Sequence, residues 1–213
     1  MQEALMVDKI TSWKFVEEFA DETPAMHKAR IRAEEMGVEC ITPATGAQLA
    51  FTVASLRAKA IVEVGTGTGL SGLWLLQGSS EATLATIDSE TEHQAAARIA
   101  FADAGIAPNR TRVISGRADE VMSNMADAAY DLVLLDAGTD TLQKQIAEAA
   151  RLLRPGGAIA IAHALWRDRV PDPAMRDDAT VAYRDAIKFF NDNDSFAVSL
   201  LGLGDGLLLA AKL

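Results

Sequence analysis

Three glycines, Gly65, Gly67 and Gly69, alternate with threonines directly after Glu63-Val64. They follow a short apolar segment, 60–64, and precede another, 70–76, whose pattern predicts a helix. A glycine turn between strand and helix tolerates positive φ and lets a ligand approach the backbone, with the helix N-terminus behind it. Three more groups capable of chemistry close later apolar segments: Asp88 after 83–87, Asp136 after 130–135 and His163 after 158–162. In open α/β sheets ligands collect at the carboxyl ends of strands, where strand order reverses, so these residues belong to one candidate site. Asp88 there can accept hydrogen bonds from both hydroxyls of a ribose. An imidazole such as His163 suits proton transfer near neutral pH.

The glycines admit two registers. In one, Gly67-x-Gly69-x-x-Gly72, with Asp88 19 residues after Gly69, matches a dinucleotide pattern and implies an NAD-dependent oxidoreductase. In the other, the acidic Glu63 precedes Gly65-x-Gly67-x-Gly69, which suits a cofactor that lacks pyrophosphate and carries an ammonium group. A helix cap is a competing role for Asp88, since Glu90 and Glu92 follow it.

The elements that must hold these groups alternate. Strands are expected at 60–64, 83–87, 111–115, 130–135 and 158–162, with helices at 70–76, 91–104, 118–125 and 141–153 between them, and a helix at 177–190 after the fifth. Strands separated by helices require a parallel sheet with right-handed crossovers. The last two strands, 196–201 and 206–211, flank the short loop Gly202-Leu-Gly-Asp-Gly206 and read as an antiparallel hairpin. Before residue 57 the pattern is helical. Pro24 opens a helix that Gly37 closes, and Thr42-Pro43 opens another. The expectation is one α/β domain with a seven-stranded, mostly parallel sheet: an N-terminal helical cap over 1–57 and a cofactor-binding core over 58–213.

Composition narrows the function. The 213 residues carry a net charge of −10, which disfavours nucleic acid as a partner. No apolar run is long enough to span a bilayer, and 1–19 carries Asp8, Glu17 and Glu18, unlike a signal peptide. Cys40, the single cysteine, reads as a small buried residue. These features predict a cytoplasmic protein.

The second register resembles the first motif of class I S-adenosylmethionine-dependent methyltransferases, whose fold is Rossmann-like. Further stretches resemble the O-methyltransferase family that includes catechol and caffeoyl-CoA O-methyltransferases: Ile41-Thr-Pro, Thr86-Ile-Asp88, Gly116-Arg-Ala118, Tyr130-Asp-Leu-Val-Leu-Leu-Asp136, Leu153-Arg-Pro-Gly-Gly157, Leu165-Trp166 and Gly204-Asp-Gly-Leu207. They run in family order over residues 13–213. The resemblance implies methyl transfer from S-adenosylmethionine to a hydroxyl of a small, often aromatic acceptor. It implies cofactor contacts at Ile41, Glu63, Gly65, Thr66, Gly67, Gly69, Ser71, Asp88, Ala118 and Asp136, and a homodimer.

Many members of that family bind Mg²⁺ through Asp, Asp and Asn. Asp136 matches the first ligand, but Ala162 and His163 stand in place of the other two, and Thr139 replaces a frequent lysine. Three readings stay open. His163 is a general base acting without metal; Asp136 and His163 weakly hold a divalent ion softer than Mg²⁺, such as Zn²⁺ or Mn²⁺, completed by substrate; or the chain binds cofactor without turnover. Among the remaining residues, Trp166 either walls the acceptor site or packs over the sheet end. The proline-broken stretch 167–178 reads as a surface loop able to act as a lid. Trp13 and Phe15 shape the acceptor pocket or a dimer contact, while His27 and His93 read as solvated surface.

Overall fold

The computed structural model describes the chain from Gln2 to Leu213, with side chains described from Lys9 onward. Three helices come first: α1 (Gln2–Glu17), α2 (Pro24–Met36) and α3 (Pro43–Leu56). Thr23 and Thr42 cap α2 and α3 with their hydroxyls, each followed by proline at the first helical position, and Gly37 ends α2 in the left-handed conformation. Alternation then sets in with β1 (Ala60–Val64), α4 (Leu70–Gln77), β2 (Thr83–Asp88), α5 (Thr91–Asp103), β3 (Thr111–Ser115), α6 (Ala118–Ser123), β4 (Tyr130–Leu135), α7 (Leu142–Leu152) and β5 (Leu153–Ala162). Helix α8 (Asp178–Asn191) and the hairpin β6 (Phe196–Leu201) and β7 (Leu207–Lys212) complete the chain.

The seven strands form one sheet in the order β3-β2-β1-β4-β5-β7-β6. β1 to β5 pair in parallel, and β7 joins β5 and β6 antiparallel, as the strand pattern predicts. Alternate residues of each strand bury on opposite faces. On one face, Ile61, Leu132, Leu134 and Ala160 pack with Leu49, Val53, Leu73 and Phe101 of α3, α4 and α5. On the other, Val62, Val133, Ile159 and Leu208 meet Met122, Ile146 and Phe190 of α6, α7 and α8. Met26 and Ala29 of α2 share the first core, so the N-terminal helices α2 and α3 are built into the same layer.

Two boundaries shift by more than one residue. β5 begins at Leu153 rather than 158, because Leu153 pairs with Tyr130 across an irregularity that absorbs the Pro-Gly-Gly turn. α6 stops at Ser123, two residues short of the expected end. Among the described residues no helix is long and apolar enough to cross a membrane. On α1, Ile10, Trp13, Phe15 and Val16 are exposed, and so is Phe19 just beyond its end.

Strand order reverses at β1, which has β2 on one side and β4 on the other. Val64 and Leu135 end in register there, and the chains leaving β1 and β4 stay in contact through the Asp136 N–H donated to the Val64 carbonyl at 2.8 Å.

Candidate active site

A cavity of about 390 Å³ opens at this reversal, in the size range of small-molecule sites. Its wall includes Ile41, Gly65, Thr66, Gly67, Ser71, Asp88, Ala118 and Asp136 of the expected cofactor contacts. The turn that shapes it depends on Gly65. Its φ is +94°, and a Cβ there would lie 1.9 Å from the Asp136 carbonyl oxygen. Backbone meets backbone at that point, so no side chain fits.

Two expected contacts lie behind the wall. Gly69 does not line the cavity; it begins α4 in a left-handed conformation, with its would-be Cβ 3.0 Å from Cα of Ala97. Glu63 is fully buried and neither carboxyl oxygen has a hydrogen-bond partner of good geometry. Burial pushes its carboxyl up to about 8, although the nearby Ser71 and Thr86 hydroxyls pull the other way. Glu63, an expected cofactor contact, therefore sits beneath the turn and does not line the cavity.

Asp88 faces the cavity. One carboxylate oxygen accepts the Gly67 N–H at 3.1 Å and the other the Glu90 N–H at 2.9 Å. The residue preceding α5 is Glu90, so Asp88 ties the end of β2 to the glycine turn rather than capping the helix. His93, expected on the solvated surface, belongs here instead. Its Nδ1 lies 3.2 Å from Asp88 Oδ2, the ring is three-quarters buried, and it lines the cavity. The signal was available: a residue in the first turn of the helix after β2 folds back over the strand end. His27 is exposed as expected.

On the β4 side, burial raises the Asp136 carboxyl above its usual range; His163 pulls it down and Glu39 pushes it further up. His163 Nε2 lies 3.4 Å from Asp136 Oδ1, and Nδ1 lies 3.4 Å from Asp205 Oδ2. The imidazole, 13% exposed, lies between two carboxylates; Asp136 lines the cavity and His163 itself does not. Its backbone φ of +56° is left-handed, a conformation that costs on the order of 1–3 kcal/mol outside glycine. The hairpin loop holds it there. Ala164 and Leu165 donate to the carbonyls of Gly206 and Asp205 at 3.0 and 2.9 Å.

Asp205 did not emerge as a site residue from the sequence. In the sequence it stands within the Gly204-Asp-Gly-Leu207 run, and nothing local to that run pairs it with His163. Gly206 makes the approach feasible, since a Cβ on it would meet the Leu165 nitrogen at 2.6 Å.

Mg²⁺ does not fit. The position of the family's second carboxylate is Ala162, 1% exposed and paired with Leu207 in the sheet, which offers no ligand. Asp136 already faces an imidazole, and Mg²⁺ requires near-octahedral oxygen coordination.

Other expected features resolve differently. Trp166 packs on Tyr183, ring centroids 5.5 Å apart, and does not line the cavity, so its packing role holds. No residue of 167–178 lines the cavity either. Arg184 of α8 pins that stretch, donating to the carbonyls of Val170, Met175, Arg169 and Asp172. Trp13 and Phe15 are likewise absent from the cavity wall. Cys40 is part-buried and lines the cavity, and burial lifts its thiol to about 11.

Fold and crevice define a doubly wound α/β protein with a small-molecule-sized cavity over its glycine turn, bordered by Asp88. Comparison with known proteins names the class. Residues 16–213 match the O-methyltransferase family model, and the chain belongs to that family. A Mycobacterium tuberculosis protein named "Probable O-methyltransferase" is 44% identical over 201 residues, covering 94% of this chain and 90% of its own length. A Corynebacterium glutamicum crystal structure superposes with a TM-score of 0.86 at 33% identity, covering 93% of this chain and 94% of that one. TomG from Streptomyces achromogenes, an O-methyltransferase of tomaymycin synthesis solved with S-adenosylmethionine, gives 0.82 at 23% identity with the same coverages, and shares the fold.

Proposed function

We propose that this protein transfers the methyl group of S-adenosylmethionine to a hydroxyl of a small acceptor, without a metal ion, using His163 as the base. Bound S-adenosylmethionine supplies a methyl carbon made electrophilic by its sulfonium. The chain's own residues do the rest. Asp88 would receive the ribose hydroxyls, the backbone at Gly65 and Gly67 would hold the methionyl part, and Ala118 would border the adenine. The acceptor hydroxyl enters beside Asp136. His163 Nε2 would take its proton, and the bound cofactor would supply the methyl carbon that the oxygen attacks. The resulting imidazolium lies between Asp136 and Asp205, whose charges stabilise it.

The observation that carries this reading is the imidazole held between two carboxylates, one of which, Asp136, lines the crevice. The test is methyl transfer to a panel of phenols and catechols, with and without EDTA. Activity is expected to survive chelation, and His163→Ala is expected to lower kcat by about 10²–10⁴-fold with S-adenosylhomocysteine affinity retained. Full activity in that variant removes the base. Normal S-adenosylhomocysteine binding with no turnover on any acceptor makes the chain an idle binder.

The apolar row on α1, with Trp13 60% and Phe15 70% exposed, supports the homodimer that the family resemblance implies, a second copy covering it. Light scattering coupled to size exclusion reports that directly. An acidic chain with one cysteine supports a cytoplasmic setting.

A further inference from the structure

We infer that Glu39, His163 and Asp205 form a binding site for a borderline transition-metal cation of the zinc class, and that its occupation switches off the proton acceptor. The switching half rests on the proposed role of His163; the binding half does not.

The three residues come from separate parts of the fold: the loop between α2 and α3, the end of β5, and the β6–β7 hairpin. One ligand atom from each lies within 4.8 Å of the others. The hairpin and the β5 end are fixed to each other by backbone hydrogen bonds, so two of the ligands are preorganised. His163 Nδ1 and Asp205 Oδ2 are both buried, face each other at 3.4 Å, and have no hydrogen-bond partner. Leaving a buried polar atom unpaired is unfavourable, and a cation between this pair relieves two such deficits at once. Asp136, 3.4 Å from Nε2, then serves as the carboxylate that orients a metal-bound imidazole through its other nitrogen.

The donor set selects the ion. One imidazole nitrogen with two carboxylates suits Zn²⁺, Co²⁺ or Mn²⁺ better than Mg²⁺, which favours all-oxygen octahedra. Only His163 overlaps the positions at which the resemblance places the family's Mg²⁺ ligands; Glu39 and Asp205 lie outside that set. A competing cation is already present: the Arg167 guanidinium donates to Glu39 Oε2 at 2.9 Å, and it is 63% exposed. Metal binding must displace it.

A metal on Nδ1 replaces the proton there and leaves the remaining ring proton on Nε2, donated to Asp136. Nε2 then has no lone pair for the acceptor hydroxyl. Metal occupation and proton abstraction exclude each other.

The experiment is titration of the purified, tag-free, EDTA-treated chain with Co²⁺, read by its visible absorption, followed by competition with Zn²⁺ and with Mg²⁺. One equivalent is expected to bind, to be displaced by Zn²⁺, and to be unaffected by millimolar-range Mg²⁺. His163→Ala and Asp205→Asn should each weaken binding by at least roughly tenfold. Arg167→Ala should tighten it, which a merely structural disturbance does not do. Circular dichroism and S-adenosylhomocysteine affinity establish that each variant is folded. Absent saturable Co²⁺ binding, or binding unchanged in His163→Ala, the site does not exist. If binding holds but Zn²⁺ leaves methyl transfer intact, the site stands and the switching is wrong. Loss of Co²⁺ binding in a His163→Ala protein that keeps full activity shows instead that the base assignment has failed.

Discussion

Gly65 and Asp136 touch through their backbones: a Cβ on Gly65 would lie 1.9 Å from the Asp136 carbonyl oxygen, at a φ of +94°. The contact closes the sheet at the point where strand order reverses. Gly65→Ala therefore has to push β1 and β4 apart. The expected cost is about 3 kcal/mol or more, a Tm lowered by roughly 6–12 °C for a chain of this size. Gly67→Ala is the contrast. Its would-be Cβ meets nothing nearer than Val38 Cγ1 at 3.5 Å, at a φ of +48°. That variant should lose only about 1–2 kcal/mol from backbone strain but place a methyl group in the crevice. Calorimetric scanning should rank Gly65→Ala well below Gly67→Ala in Tm, while Gly67→Ala folds and fails to bind S-adenosylhomocysteine normally. Equal Tm losses would contradict the geometry.

Much of this architecture was readable from residue types, because the physics that shapes it is local. Alternating glycines after an apolar strand, Thr-Pro starts for α2 and α3, and a glycine-rich loop between two apolar runs each constrain only their own backbone. The site was less legible where it depends on returns of the chain. His93 comes over Asp88 because α5 folds back across the end of β2. Asp205 meets His163 only because the hairpin comes back to β5, and no feature of either segment announces that pairing. The stretch 167–178 reads as a surface loop able to act as a lid because of its prolines and mixed charge; four of its carbonyls accept from Arg184 of the following helix, which ties it down.

The Asp88–His93 pair makes a prediction about cofactor affinity. Asp88 is held by two backbone N–H groups and by the His93 ring at 3.2 Å. Asp88→Asn should weaken S-adenosylhomocysteine binding by about 10–100-fold, since a charged acceptor to two hydroxyls is lost. His93→Ala should cost about two- to tenfold by freeing the carboxylate. In an Asp88→Asn background the His93 change should add little, because its partner is gone. Isothermal titration of the four proteins closes the cycle. If His93→Ala costs the same in both backgrounds, the ring acts independently of Asp88.

Three consecutive residues after β5, Trp166, Arg167 and Asp168, have left-handed backbones with φ of 45°, 55° and 57°. Asp168 is exposed, and its side chain makes no hydrogen bond or ion pair in the structure. Asp168→Gly should relieve its share of this strain and raise stability by about 0.5–1 kcal/mol, less the entropy that glycine adds to the unfolded chain. Urea denaturation should show a higher midpoint at unchanged slope. A lower midpoint means that the aspartate stabilises the turn in a way its contacts do not reveal.

Glu63 predicts how stability changes with pH. Its carboxyl sits at about 8 in the folded protein against an ordinary 4.5, because burial disfavours the charge. Below about pH 4.5 both folded and unfolded chains hold this proton, and Glu63 contributes no pH dependence. Between about 4.5 and 8 the unfolded chain has released it while the folded chain keeps it, so the unfolded state binds fewer protons and stability falls as pH rises. Above about 8 both forms are ionised and the decline stops. The full span corresponds to at most roughly 5 kcal/mol. Glu63→Gln keeps the shape and hydrogen-bonding capacity of the neutral acid while removing the titration. Its urea midpoint, measured on ligand-free protein, should match the parent near pH 5 and exceed it increasingly toward pH 8.5. Parallel pH profiles for the two proteins would mean that the Glu63 carboxyl ionises in the fold as readily as in water, and that something beneath the glycine turn solvates it.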